Sequence, residues 1–243
     1  MIRFITPLLL TIALGASAQQ FDTTGLSSWD LRHNSYETWM QGGLDAYRDA
    51  SDPTDFGWGN YNSTTHFIEG DSIYIVKTSQ GNFKALSIDQ LASGVFTIAF
   101  SDLDGSNYQK VSLDRSPYLN DGRNFFYYSL DGVQTKDLEP ASADWDLVFS
   151  RFLTFFPGFG GYPVSGALTN RDVTTSKVEL DSGQSASLAD TSNFPFTPEI
   201  NTIGFDWKNA GPSGIVVHDT LTYFVKDQAG NINELRFTDY GGA

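Results

Sequence analysis

The sequence predicts an all-β protein, an antiparallel sandwich or open-barrel-like fold. Aromatic residues make up 14% of the chain and glycines number 23, a composition that suits short strands joined by tight turns. Turn signals recur every ~8–12 residues, the spacing of a sandwich or barrel. The runs between them are β-branched and aromatic.

The elements follow in order. Ser72–Thr78 is β-branched and aromatic, Gln80-Gly81-Asn82 turns, and Phe83–Ile88 runs back, which is a hairpin signal. Gly94–Phe100 is a strand, Asp102–Gly105 a turn, and Asn107–Leu113 an alternating return. Asn124–Leu130 reads as a strand that stops at Asp131-Gly132. Trp145–Phe156 alternates in part, and its aromatic density predicts burial on both faces. Pro163–Leu168, Lys177–Leu180, Thr202–Trp207, Gly214–His218, Leu221–Lys226 and Ile232–Phe237 complete the strands. Weak helical character is confined to Tyr36–Ala50 and Ser87–Ala92.

Length and charge set further bounds. The chain has 243 residues, with 40% hydrophobic and 18% charged, enough apolar material for a core and too little charge for disorder. Twenty-nine acidic residues face 15 basic ones, a net charge of −14. That sign argues against nucleic acid and against anionic lipid, since both require an excess of cations. The absence of cysteine removes disulfides, thiolate metal sites and a cysteine nucleophile.

The first eighteen residues read as a secretory signal peptide. Arg3 is followed by the apolar run Pro7–Leu14 and by Gly15-Ala16-Ser17-Ala18, a basic start, an apolar middle and a small-residue cleavage site. Cleavage after Ala18 leaves 14 basic and 29 acidic residues, or −15. No stretch approaches the roughly 18 apolar residues of a membrane span. The expected location is secreted, periplasmic or cell-surface.

Blocks of sequence recur. Trp29-Asp30-Leu31 returns as Trp145-Asp146-Leu147, with Tyr36 matched to Phe152, Thr38 to Thr154 and Trp39 to Phe155. Phe56-Gly57-Trp58-Gly59-Asn60 returns as Phe205-Asp206-Trp207-Lys208-Asn209. Sixteen residues past Trp58 and Trp207 stand Tyr74 and Tyr223, each opening a hairpin, with Leu86 and Leu235 at equal distance beyond. The expectation is a single all-β domain over 19–243 built from pseudo-repeats of about 29–115 and 116–240, the second carrying an insertion near Tyr162–Pro198.

The second copy resembles the HmuY family. Phe125–Val133 followed by Ala143–Arg151 is similar to that family's aromatic strand, turn and Trp-Asp-hydrophobic-x-Phe-x-Arg strand. Val164–Asn170, Ile203–Trp207 and the hairpin from Tyr223 to Leu235 match further family stretches in order, so that the resemblance covers roughly 120–240. The resemblance implies a secreted or surface-attached all-β protein of Bacteroidetes-type bacteria. It implies a hemophore that binds haem for iron acquisition and passes it to an outer-membrane haem transporter.

Haem requires axial ligands and an apolar slot. His66 and His218 fall in the same connection of their respective copies and are the candidate axial pair. Phe155, Phe156, Phe159 and Tyr162 lie in a glycine-flanked stretch and are the candidate slot aromatics. No metal is expected beyond haem iron. His33, within the first Trp-Asp-Leu block, reads as structural, and Met40 as gap filler. Asp102-Leu103-Asp104-Gly105 lacks the further carboxylates of a calcium loop and reads as a turn. No nucleophile elbow, zinc-binding helix or phosphate loop occurs, so the expectation is a non-catalytic protein. The alternative to a haem carrier is a surface β module that binds a glycan or a protein partner, for which Trp39, Trp58 and Tyr61 offer stacking surfaces.

Overall fold

The computed structural model describes residues 2–4, 21–158, 160–211 and 214–241. The fold is all-β with antiparallel pairing throughout, and no sheet closes into a barrel among the described residues. The chain divides into two compact units, Met1–Asn34 with Gln41–Glu139, and Ser35–Met40 with Pro140–Ala243. The segments read as the leader and its cleavage site lie outside the described residues, except for the backbone of Ile2–Phe4.

Unit 1 holds β1 (Ile2–Phe4), β2 (Leu31–Arg32), β3 (Gly59–Asn62), β4 (Phe67–Gly70), β5 (Ile73–Lys77), β6 (Phe83–Ala92), β7 (Val95–Asp102) and β8 (Gln109–Asp114). These make one sheet in the order β2-β1-β5-β6-β4-β3, with β7 also on β6 and β8 on β7. A short helix α1 (Ser116–Asn120) and the hairpin of β9 (Tyr127–Ser129) and β10 (Gln134–Lys136) follow.

Strand β6 organises this unit. Its first half pairs with β5 and its end with β4, while β7 runs along its other side. A register shift between Ile88 and Gln90 marks a bulge, which bends the strand and lets it serve two partners. A Cβ on Gly70 would fall 1.7 Å from the Ile88 carbonyl oxygen, so only glycine permits β4 to lie this close to the bulge. The core comprises Trp58, Ile68, Tyr74, Leu86, Ile88, Ile98, Phe100 and Leu113. Phe126 and Tyr128 pack on it against Phe96 and Phe100. Tyr118 of α1 in turn packs on Phe126, and unit 1 extends to Glu139.

Unit 2 holds β11 (Leu147–Phe156), β12 (Gly160–Thr169), β13 (Thr174–Glu179), β14 (Lys208–Gly211), β15 (Gly214–Val217), β16 (Leu221–Lys226) and β17 (Ile232–Leu235). β11 and β12 form a ten-pair hairpin, β14 and β15 a short one, and β13-β16-β17 a three-stranded sheet. The core comprises Ala167, Val173, Ile203, Trp207, Leu221, Tyr223 and Val225. Buried Asn170 ties the base of the long hairpin to the chain before it, its Nδ2 donating to the carbonyls of Ser142 and Trp145, each at 2.7 Å. Such satisfied buried amides fix a unique packing.

The hairpins of the two units share a register. Tyr74 pairs with Leu86 across β5 and β6, and Tyr223 pairs with Leu235 across β16 and β17. Each Tyr is fully buried, and each is preceded by a buried Trp, Trp58 or Trp207.

Three expected elements differ. Ser87–Ala92 is strand within β6; the bulge converts alternation into a spacing of three between Ile88 and Leu91, which mimics a helix. Tyr36–Ala50 contains no helix. There the Gly42 and Gly43 amides donate instead to Asp45 and Asn34 side chains, the local competition by which Asp and Asn disfavour helix. Thr202–Trp207 contributes one isolated bridge, Gly204 to Ala167, because Gly204 sits at φ +58 and breaks the extended run.

Candidate binding site: an aromatic ladder in unit 2

Strand alternation places Phe152, Thr154 and Phe156 on one face of β11, and Leu153 and Phe155 on the other. Directly opposite residues in an antiparallel pair share a face. Tyr162, opposite Thr154, therefore joins Phe152 and Phe156. The resulting rings form a continuous series. Tyr36 stacks on Phe152 at 5.2 Å and 13°, and both meet Phe205 edge-on at 6.5 and 6.2 Å. Phe205 meets Phe156 at 6.0 Å, and Phe156 meets Tyr162 at 6.1 Å, again edge-on. Edge-to-face contacts at these spacings each contribute about 0.5–1.5 kcal/mol beyond area burial.

The ladder runs from half-buried rings to an open tip. Tyr36, Phe152 and Phe205 are half-buried, whereas Phe156 is 38% and Tyr162 58% exposed. Three features hold it rigid. The segment Ser35–Met40 docks by its Trp39 Nε1, which donates to the Thr169 carbonyl at 2.9 Å, with Trp39 edge-on to Trp145 at 6.4 Å. The Thr154 hydroxyl donates to the Tyr36 phenol oxygen at 3.2 Å, the buried Thr facing the ring it orients. Gly166 leaves room for its neighbours: a Cβ there would lie 2.4 Å from the Gly204 carbonyl oxygen and 2.9 Å from the Phe152 ring. Gly204 in turn pairs with Ala167 through two backbone hydrogen bonds, which carries Phe205 to the ladder.

Of the expected slot aromatics, Phe156 and Tyr162 come together. Phe155 faces the opposite side, 57% exposed, its ring over Gly161. Phe159 lies outside the described residues. Tyr36 and Phe205 belong to the ladder although sequence reasoning singled out neither for a site. The repeat alignment had matched Tyr36 to Phe152 as copies, and the two instead stack on one another.

The histidines fall in different units, and each has its own setting. His66 occupies the turn between β3 and β4 at φ +60, exposed, with Nδ1 2.7 Å from the Tyr61 hydroxyl. His218 follows β15, half-buried, its backbone amide donating to the Trp207 carbonyl at 2.9 Å. Among the described residues no group of three or more His, Cys, Asp or Glu is arranged to hold a metal ion.

Each unit has one notable charged contact. In unit 1, a 520 Å³ open depression is lined by Asn82, Phe83, Lys84, Asp102, Leu103 and Asp104. Lys84 neutralises Asp102 at 2.5 Å, and Asn107 donates to the same carboxylate at 2.6 Å. These bonds hold the Asp102 carboxyl below its usual range, Lys84 first. In unit 2, Lys208 lies over the Trp207 ring at 3.9 Å and the Tyr240 ring at 4.9 Å and donates to the Ser165 carbonyl. Burial lowers its pKa.

No helix among the described residues is long and apolar enough to cross a membrane. Comparison with protein-family models, curated proteins and solved structures returns no match to this chain.

Proposed function

We propose that the protein is an exported, non-catalytic binding module that receives a planar or apolar ligand on the ladder tip of unit 2. The observation that carries this reading is the Phe156–Tyr162 pair, solvent-exposed yet backed by Phe205, Phe152 and Tyr36. Exposed aromatics on a rigid strand pair offer contact area at little conformational entropy. A ligand that stacks there meets a preformed surface. Export rests on the leader pattern of the first eighteen residues.

Haem is the ligand of first choice, on the resemblance to HmuY proteins. The ladder supplies a stacking face, and Tyr162 carries a phenol oxygen, one of the donor types that haem iron accepts. His66 and His218 supply imidazoles, one in each unit, and neither stands in the ladder. Tyr162 is thus the ligand-type side chain best placed for a porphyrin on this face. An outer-membrane haem transporter would be the corresponding partner. A glycan or protein partner stacking on the same rings is the alternative occupant.

The test is an absorbance titration of residues 19–243 with hemin, repeated with Tyr162→Phe, His66→Ala and His218→Ala. A Soret band that sharpens and saturates at one equivalent, and shifts in Tyr162→Phe, supports haem on the ladder. Loss in either histidine variant with Tyr162→Phe unchanged moves the iron away from it. A featureless titration contradicts the haem reading, and a glycan array then tests the alternative.

A further inference from the structure

In unit 2 strand β16 is paired on both sides, with β17 and with β13. Lys177 of β13 lies opposite Tyr223, Ser176 opposite Phe224 and Thr175 opposite Val225. In unit 1 strand β5 has β6 on one side in the same Tyr–Leu register. On its other side stands β1, with Phe4 opposite Tyr74, Arg3 opposite Ile75 and Ile2 opposite Val76. Strand β1 therefore fills in unit 1 the position that β13 fills in unit 2, in the same antiparallel sense. The outer edges also correspond: β1 pairs with β2 through Arg3 and Leu31, and β13 is bridged through Thr175 and Thr197.

The two strands differ in origin. β13 lies within the stretch by which the second copy is longer, so unit 2 carries its own. Unit 1 has no such stretch and takes the strand from residues 2–4, inside the segment read as a cleaved leader. We infer that the mature unit 1 has an open slot along β5, and that the slot takes an extended segment of a partner polypeptide antiparallel to β5. This rests on the leader reading and is independent of the ladder in unit 2.

The slot is a demanding one to leave open. Tyr74 and Ile75, adjacent and therefore on opposite faces, are both fully buried with β1 in place, so β5 is built as a central strand. Without β1 its outward N–H and C=O groups lose their partners. Edge strands are ordinarily protected by a proline, a bulge or an inward charge. β5 has none of these along Ile73–Val76, and Lys77 stands only at its end. Pairing by strand addition satisfies the backbone, and alternate side chains set specificity. The two occupants of this position share a pattern. Ile2-Arg3-Phe4 and Thr175-Ser176-Lys177 each carry one cation and no anion. The mature chain carries −15, which favours a cationic partner over an anionic one. The favoured partner segment is extended, uncharged to basic, and free of proline where it must donate.

Intact mass of the exported protein first establishes whether residues 2–4 are removed. A mass that retains them overturns the leader reading and leaves β1 as a resident strand with no slot. Hydrogen exchange on residues 19–243 then compares the segment 72–78 with the segment 221–226, whose strand keeps both neighbours. The probe is a synthetic peptide of residues 1–8, with its Arg3→Pro version as control. The expected result is fast exchange at 72–78 alone, slowed by about tenfold or more with the peptide and unchanged with the proline control. Exchange at 72–78 as slow as at 221–226 in a monomer without peptide shows that the chain closes its own edge and overturns the inference. Slow exchange in a dimer replaces the foreign partner with a second copy and overturns it likewise. Fast exchange unaffected by the peptide shows that the edge selects no strand and also overturns it.

Discussion

Tyr74 and Tyr223 occupy matching places in the two units, and the structure assigns opposite signs to the same substitution. Both are fully buried, and both sit opposite a leucine at one hairpin register. The Tyr74 hydroxyl donates to the Leu44 carbonyl at 2.9 Å. The Tyr223 hydroxyl has no hydrogen-bond partner among the described residues. Replacement by Phe keeps the ring and its packing and removes only the oxygen. At Tyr74 the loss is one good hydrogen bond, about 1 kcal/mol net, with more if the Leu44 carbonyl is left dry. At Tyr223 the substitution removes a hydroxyl whose unpaired burial costs about 1–3 kcal/mol, so the variant gains about 1 kcal/mol. The difference of about 2 kcal/mol between the two variants is well over tenfold in the unfolding equilibrium. Urea unfolding followed by tryptophan fluorescence reads it, with Trp58 in one core and Trp207 in the other. Two units allow two transitions, each fitted separately. With a urea slope of about 1–3 kcal/mol/M, each shift is a few tenths of a molar or more. A Tyr223→Phe variant that loses as much stability as Tyr74→Phe refutes the assignment.

Other outcomes follow from the same packing. Gly166→Ala should destabilise unit 2 by about 1–3 kcal/mol, since its Cβ meets the Gly204 carbonyl at 2.4 Å; circular dichroism melts check this. Trp39→Phe removes the bond to the Thr169 carbonyl and should cost about 1 kcal/mol, read as a lowered midpoint in urea. The Asp102 carboxyl is held below its ordinary 3.8 by Lys84 and Asn107, so its contribution is complete above 3.8 and fades as pH falls. Lys84→Met should make acid unfolding begin at a higher pH, and a pH titration of fluorescence in which the onset is unmoved contradicts this. Burial raises the phenol pKa of Tyr74 and of Tyr223 above the ordinary 10.0. The folded state therefore holds protons that the unfolded state releases, and stability falls as pH rises past 10.0. Tyr223→Phe should soften that alkaline loss, as measured by unfolding at two alkaline pH values.

Much of the β architecture was legible because its signals are local. The turn at Gly81 sits at positive φ between the two strands that the sequence predicts around it, and the equal Tyr-to-Leu spacing in the sequence matches the two Tyr–Leu pairs of the hairpins. The misreadings arose where tertiary contact overrides local pattern. At Ile88–Gln90 a bulge serving two neighbouring strands breaks the alternation. At Gly204 a single left-handed residue ends an apparent strand. The site was half legible. Alternation alone separates Phe155 from Phe156, whereas Tyr36 reaches Phe152 from 116 residues away, and no local signal carries a contact of that range.

The most direct test of the aromatic ladder is hemin binding by residues 19–243 alongside a Phe156→Ala, Tyr162→Ala double variant. Both side chains are solvent-exposed and their removal leaves Phe205, Phe152 and Tyr36 packed, so the fold should persist by circular dichroism. The account predicts saturable binding by the parent chain and a loss of affinity of about fivefold or more in the variant, as two stacking contacts are worth about 1–3 kcal/mol together. Binding of equal affinity by a folded double variant contradicts the ladder as the site.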